Sequence, residues 1–209
     1  MKTILLQGDS ITYFHRTESE LNKGSGYATM VASELMLDYP GQFNVVNRGV
    51  GGDRIEHLYA RMKKDILNLN PDYLTILIGV NDAWQNCGDR LEDAEKSSFR
   101  KVYCMLIEEL LQARPEMKIY ILEPYILPGP NSNPESYEQQ LCQVRACAES
   151  AKFVAEKYGL TFVPLQERFE RLHELTGPGY WFTDGVHPMP AGHQVIARAL
   201  LDALKKDIG

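Results

Sequence analysis

The sequence has no long apolar segment. A membrane-spanning helix needs about 18 consecutive apolar residues, and no stretch of this chain approaches that length. The short run Ile4-Leu5-Leu6 near the amino terminus is too brief for the apolar core of a signal peptide, and no small-residue cleavage site follows it. We therefore expect no membrane association and a cytoplasmic location.

Cysteine and basic charge are also scarce. The four cysteines show no C-x-x-C spacing, which favours reduced thiols over disulfides or a metal site; they are Cys87, Cys104, Cys142 and Cys147. The 22 lysines and arginines are scattered and are outnumbered by 28 acidic residues, for a net charge of −6. This balance carries no electrostatic signature of nucleic-acid binding and favours a neutral small molecule as partner.

Histidine is too sparse to indicate a metal centre. Apart from one histidine discussed below, none lies at a metal-binding distance in sequence from another histidine or from a cysteine; the four are His15, His57, His173 and His193. We therefore expect no metal and no cofactor.

Short β-rich runs alternate with helical stripes along the chain. The predicted strands cover residues 3–7, 43–46, 73–78, 118–122 and 161–163. The predicted helices cover residues 27–37, 55–69, 94–113 and 135–158, and a last helix begins near Pro190. This alternation predicts one α/β domain over residues 1–209, with a five-stranded parallel sheet covered by helices on both faces. Ligands of such sheets bind beyond the carboxyl ends of the strands.

Polar clusters at these strand ends supply the parts of an ester hydrolase. Ser10 follows the first strand and could act as nucleophile. His187 lies three residues after Asp184, so one bent loop could supply both a general base and the carboxylate that orients it. Each cluster taken alone fits turn and capping chemistry better than catalysis, and only their combination favours catalysis.

Two further turns could stabilise an oxyanion. Gly52 has no side chain to obstruct its N–H, and Asn81 follows an apolar strand and could donate from its side-chain amide. With the N–H of Ser10 they would make three donors. The alternative is again local: glycine for a positive φ, and Asn-Asp for an Asx-turn.

Taken together, the clusters resemble the four motif blocks of the SGNH (GDSL) hydrolases, in the same order. The matching segments are residues 8–10 (Gly-Asp-Ser), Gly52, residues 79–82 (Gly-Val-Asn-Asp) and residues 184–188 (Asp-Gly-Val-His-Pro). The resemblance implies a flavodoxin-like three-layer α/β/α fold. It also implies Ser10 as nucleophile, a His187–Asp184 pair, and an oxyanion hole of Ser10, Gly52 and Asn81.

A closer resemblance is to the branch with intracellular acetylxylan esterases and related carbohydrate deacetylases. It rests on residues 47–54, 60–62, 78–84, 187–188 and 191–193, with Gly51 standing where many relatives have serine. This resemblance implies a serine esterase acting on short-chain, chiefly acetyl, esters of carbohydrates such as acetylated xylo-oligosaccharides. Esters with longer acyl chains, as cleaved by lysophospholipases or thioesterases, and a non-catalytic carbohydrate-binding role stay open.

Three residues are predicted to contact substrate. Asp9 adjoins the nucleophile, and Trp84 and Trp181 lie beside motif loops, where an aromatic face could stack on a sugar ring. Core packing is an equally good interpretation of both tryptophans. Homo-oligomerisation is a further open expectation, because soluble enzymes commonly form symmetric oligomers.

Overall fold

The computed structural model describes residues 1–85, 97–177 and 179–208. Its strands are β1 (Lys2–Gly8), β2 (Phe43–Asn47), β3 (Tyr73–Leu77), β4 (Lys118–Leu122) and β5 (Thr161–Val163). Its helices are α1 (Ser10–Tyr13), α2 (Tyr27–Asp38), α3 (Ile55–Asp65), α4 (Val80–Gln85), α5 (Ser98–Ala113), α6 (Pro134–Lys157), α7 (Gln166–Thr176) and α8 (Pro190–Ile208). Short 3₁₀ turns cover Arg16–Glu18 and Leu67–Leu69.

All five strands are parallel and lie in the order β2-β1-β3-β4-β5. The chain moves outward from β1 to β2, then returns past β1 to β3 and continues in the other direction. Because parallel crossovers are right-handed, this reversal places helices on both faces of the sheet. It also opens a crevice between the carboxyl ends of β1 and β3, where ligands of such sheets bind. The predicted three-layer α/β fold is confirmed.

Apolar burial explains why the sheet lies at the centre. Every residue of β3 is buried, and β1 is buried from Ile4 to its end. On one side α2 packs against α8, and on the other α5 packs against α3 and α6. Each of these helices buries one apolar stripe; on α5 this stripe includes Leu106, Ile107 and Leu110.

Several predicted boundaries need correction. The helix predicted over residues 55–69 ends at Asp65, because Ile66 leaves helical geometry and a 3₁₀ turn follows. The helix predicted from Ala94 begins at Ser98 in the structure, where the Ser97 side chain accepts the N–H of Arg100 at 3.2 Å. Ala94 itself lies outside the described residues. Helices α1, α4 and α7 were not predicted.

The cysteine prediction holds for three residues. Cys104, Cys142 and Cys147 form no disulfide in the described part of the chain, and Cys87 lies outside it. The same described part contains no helix that is both long and apolar enough to cross a bilayer.

Candidate active site

Ser10, His187 and Asp184 form a continuous hydrogen-bonded chain. The Ser10 Oγ lies 2.9 Å from the His187 Nε2, and the His187 Nδ1 lies 2.7 Å from the Asp184 Oδ2. When Nδ1–H donates to the carboxylate, Nε2 carries no proton and can accept the serine O–H. This is the tautomer that a general base requires.

One carboxylate organises the loop that carries both acid and base. The Asp184 Oδ1 accepts the N–H groups of Val186 and His187 at 3.0 and 2.8 Å, while its Oδ2 holds the imidazole. Between them, Gly185 has φ +94°, and a Cβ there would lie 2.1 Å from the carbonyl oxygen of Leu127. Only glycine allows the loop to lie this close to the segment after β4.

These bonds also keep Asp184 ionised. Partial burial by itself raises the pKa of its carboxyl group. The hydrogen bonds from His187 and from the N–H of Val186 outweigh that effect, so the pKa lies below its usual value. The carboxylate is therefore negative at neutral pH, where it can stabilise a positive charge on the His187 imidazole.

Helix α1 begins at Ser10, the predicted nucleophile. The Asp9 Oδ1 accepts the N–H of Ile11 at 2.9 Å and caps this helix, which turns Ser10 toward His187. Asp9 is 1% exposed, and burial raises its pKa to about 7. Asp9 is thus the buried capping residue directly before Ser10. Its predicted contact with substrate stays a prediction.

The turn after β3 holds the glycine loop after β2 at two points. The Asn81 side chain donates to the Asp53 carbonyl oxygen at 3.0 Å, and the Asp82 Oδ1 accepts the N–H of Ile55 at 3.0 Å. Arg61 binds the Asp53 carboxylate from the other side, with Nε and Nη2 each 2.8 Å from Oδ2. The two predicted oxyanion segments are therefore joined directly.

Both segments keep donors for a ligand. The Asn81 amide has two N–H bonds, of which the bond to Asp53 uses one. Gly52 has φ +78°, and a Cβ at this position would meet no atom within 4 Å, so the space around it is open. Within the described residues, the N–H groups of Ser10 and Gly52 donate to no protein acceptor. This set matches the donors that an oxyanion hole needs.

The two tryptophans lie in different clefts. Trp181 donates from Nε1 to the Leu172 carbonyl at 3.0 Å and to Thr176 Oγ1 at 2.7 Å, and it lines a cleft of about 530 Å³ between α7 and α8. Trp84, on α4, is 39% exposed and lines a cleft of about 260 Å³ against α6. The predicted roles of both in substrate binding stay predictions.

A second histidine lies close to the triad without being part of it. His193 is fully buried, and its Nδ1 accepts the N–H of Tyr27 at 3.2 Å. Burial, with a smaller contribution from His187, lowers its pKa to about 4, so it is neutral. In the described residues no three His, Cys, Asp or Glu side chains are grouped so that they could hold a metal ion.

With this geometry in place, comparison with known proteins identifies the family. A family model described as GDSL-like lipase/acylhydrolase matches residues 6–195. The chain belongs to the GDSL-like lipase/acylhydrolase family. This GDSL protein is therefore an acylhydrolase, the class that cleaves carboxylic esters.

The relatives of this GDSL chain include enzymes with known names. An acetylxylan esterase from Geobacillus stearothermophilus is 31% identical over 206 residues, which is 95% of this chain and 91% of the relative. A crystal structure of a catalytic mutant of Axe2, an acetylxylan esterase from the same organism, has a TM-score of 0.82 at 27% identity, covering 96% of this chain and 93% of the other. A crystal structure described as that of a GDSL-like lipase from Parabacteroides merdae has a TM-score of 0.86 at 29% identity, covering 97% and 94%.

Sequence reasoning missed two features of the structure. The first is the partner of Asp82: this residue was interpreted as a turn and network residue, and its Oδ1 accepts the N–H of Ile55 at the start of α3. The second is the row of polar side chains on α6 that faces Trp84, namely Ser136, Gln139, Gln140 and Gln143. Their helical spacing was a usable signal, because residues three and four apart lie on one face of a helix.

Proposed function

We propose that this GDSL protein hydrolyses short-chain, chiefly acetyl, esters of carbohydrates through an acyl-enzyme on Ser10. The observation that carries the proposal is the hydrogen-bonded chain from Asp184 through His187 to Ser10. A serine, a correctly oriented base and a buttressing carboxylate are what acyl transfer requires.

In the first half-reaction, His187 removes the proton from Ser10 Oγ while that oxygen attacks the ester carbonyl carbon. The resulting oxyanion accepts hydrogen bonds from the N–H of Ser10, the N–H of Gly52 and the amide of Asn81. The imidazolium then gives its proton to the leaving alcohol oxygen as the ester C–O bond breaks, which leaves the acyl group on Ser10.

In the second half-reaction, His187 takes a proton from water, and the water oxygen attacks the acyl carbon. The same three donors hold the second oxyanion, and the proton returns to Ser10 as the acid leaves. The protein's own residues thus account for every proton transfer in the cycle.

The proposed acyl and alcohol groups rest on similarity. The acetylxylan esterase relative matches 95% of this chain, so the likeness includes the loops that surround the triad as well as the sheet. The family name also covers lipases, which makes longer acyl chains the competing possibility. Acyl-chain preference separates these two candidates.

The test compares kcat/KM for p-nitrophenyl acetate and p-nitrophenyl octanoate. Ser10→Ala removes the nucleophile and should lower kcat by several orders of magnitude. Ser33→Ala is the matched control, because Ser33 is an exposed serine on α2 whose hydroxyl donates to the Thr29 carbonyl; this variant should keep wild-type rates.

Each outcome has a definite meaning. Acetate preference that disappears with Ser10 supports the proposal and leads to acetylated xylo-oligosaccharides as the next substrates. Octanoate preference would replace it with a lipase or thioesterase function. Equal rates for the wild type and Ser10→Ala would overturn the acyl-enzyme mechanism.

A further inference from the structure

A small cleft between α4 and α6 has a lining unlike the others described. We call it the amide cleft, and its lining residues are Trp84, Ser136, Gln139, Gln140 and Gln143. Its volume is about 260 Å³. One wall is thus an indole ring, and the opposite wall consists of uncharged polar side chains.

The amide wall is built by a single helix face. Near the start of α6, Gln139 and Gln140 lie three and four residues after Ser136, and Gln143 lies four and three residues after those two glutamines, so the four residues share a face. Because α4 packs against α6, this face lies opposite Trp84. The Gln140 and Gln143 side chains are partly buried, which limits their freedom before any ligand binds.

The chemistry of the lining selects a class of ligand. Glutamine amides both donate and accept hydrogen bonds, as sugar hydroxyl groups do, and an indole face packs well on the C–H groups of a sugar ring. By contrast, the cleft at Trp181 is lined by Arg168, Arg171 and Arg198. Among the described residues, those that line the amide cleft are uncharged, which favours a neutral ligand over an anionic one.

The amide cleft and the proposed oxyanion hole each include a residue of α4. Trp84 is three residues after Asn81 on α4, so both side chains lie on neighbouring positions of one helix face. Three residues correspond to about 4.5 Å along a helix axis, a displacement that a single sugar ring can bridge. A sugar at Trp84 can therefore carry an ester group to Asn81.

We propose that the amide cleft binds one ring of the neutral saccharide that carries the ester, with its face on Trp84 and its hydroxyls on the glutamines of α6. This inference rests on the proposed function and adds a location for the alcohol part of the substrate. It assigns Trp84, Gln140 and Gln143 to substrate selection, separate from the bond-breaking residues.

The kinetic test uses acetylated xylobiose and p-nitrophenyl acetate with the full-length protein. Trp84→Ala should raise KM for the saccharide about tenfold with kcat within about twofold, because stacking acts on binding. Gln140→Ala should raise KM for the saccharide about threefold, because it removes one hydrogen bond between neutral groups. Trp84→Phe should recover part of the loss. Gln112→Ala, a glutamine on exposed α5 surface, is the matched control and should change nothing.

A binding test separates this inference from the proposed function. Unacetylated xylotriose contains no ester, and it is titrated by calorimetry into Ser10→Ala, which lacks the proposed nucleophile. Binding that Trp84→Ala weakens about tenfold supports the cleft even if the wild type hydrolyses no sugar ester. Hydrolysis of acetylated xylobiose with unchanged KM in Trp84→Ala and Gln140→Ala overturns the cleft and leaves the proposed function standing.

Discussion

The two ends of the sheet use the same kind of hydrogen bond in opposite environments. Where the strands begin, the Asp72 Oδ2 accepts the N–H of Thr3 at 2.7 Å and joins β3 to β1. Where the strands end, the Asp82 Oδ1 accepts the N–H of Ile55 at 3.0 Å and joins the turn after β3 to α3. Both bonds connect a carboxylate to a backbone N–H, but only the second borders the site.

The difference lies in the cost of burial. Asp72 is partly exposed, whereas Asp82 is 2% exposed, and burial raises its pKa to about 7. Its Oδ2 and the hydroxyl of Tyr103 are both buried without a hydrogen-bond partner in the described residues. Unpaired buried polar groups lower the free energy of unfolding. We therefore expect the carboxyl end of the sheet to be less stable than the other end.

The largest expected effect comes from removing a donor at the carboxyl end. Asn81→Ala should lower kcat for p-nitrophenyl acetate roughly 10²- to 10³-fold, the usual cost of losing one oxyanion donor. Asp72→Ala, at the other end, should leave kcat unchanged. Steady-state kinetics of the two variants checks this contrast. A kcat for Asn81→Ala within about threefold of wild type would remove Asn81 from the oxyanion hole.

The next effect compares the two carboxylates directly. Asp82→Ala and Asp72→Ala each leave a backbone N–H without its acceptor, so each should cost about 1–3 kcal/mol of unfolding free energy in urea. Only Asp82→Ala should also lower kcat, by about tenfold, because misplaced donors stabilise the oxyanion less well. Asp82→Asn keeps an oxygen for Ile55 and should restore most of that loss. Equal kcat in both alanine variants would make Asp82 purely structural.

The third expected effect is a pH dependence of stability. Because the pKa of Asp82 rises from 3.8 to about 7 on folding, the folded chain keeps this proton where the unfolded chain has lost it. Its contribution to stability is therefore complete below pH 3.8 and is lost as the pH rises toward about 7, with a slope of up to about 1.4 kcal/mol per pH unit. Glu56 and Asp9, the charged groups that also act on Asp82, push its pKa in the same direction.

Urea unfolding of wild type and Asp82→Asn between pH 4 and pH 7 measures this slope, since asparagine does not titrate. The variant should gain stability relative to wild type as the pH rises. Parallel curves would show that the Asp82 carboxyl titrates alike in the folded and unfolded chains.

Local sequence patterns were sufficient for the sheet, and they singled out the three side chains that the structure joins in one hydrogen-bonded chain. The uncharged run at residues 73–78 predicts a covered strand, and each motif turn stands out because glycine and polar residues interrupt apolar runs. Helices α1 and α4 were missed because each is short and starts inside a motif turn that also fits a loop. Helix α7 was missed because it buries little apolar surface besides Phe169.

Properties that depend on distant packing were out of reach. The environment of Asp82 is one example: burial raises the pKa of Tyr103 on α5 and the Asp82 charge raises it further, an interaction between residues 21 positions apart that no local pattern indicates. The amide cleft likewise needs α4 and α6 side by side, although more than fifty positions separate Trp84 from Ser136 in the sequence. Helical spacing indicates a shared face but cannot indicate what lies opposite it.

The compact loop of Asp184 and His187 has an evolutionary consequence. Acid and base are three positions apart, and the Asp184 carboxylate sets both the backbone and the imidazole. Deletion of a single codon between them should abolish the proposed ester hydrolysis, while the sheet and the amide cleft stay intact. If the proposed function and the proposed cleft are both correct, such a deletion would leave a protein that binds the saccharide without hydrolysing its ester.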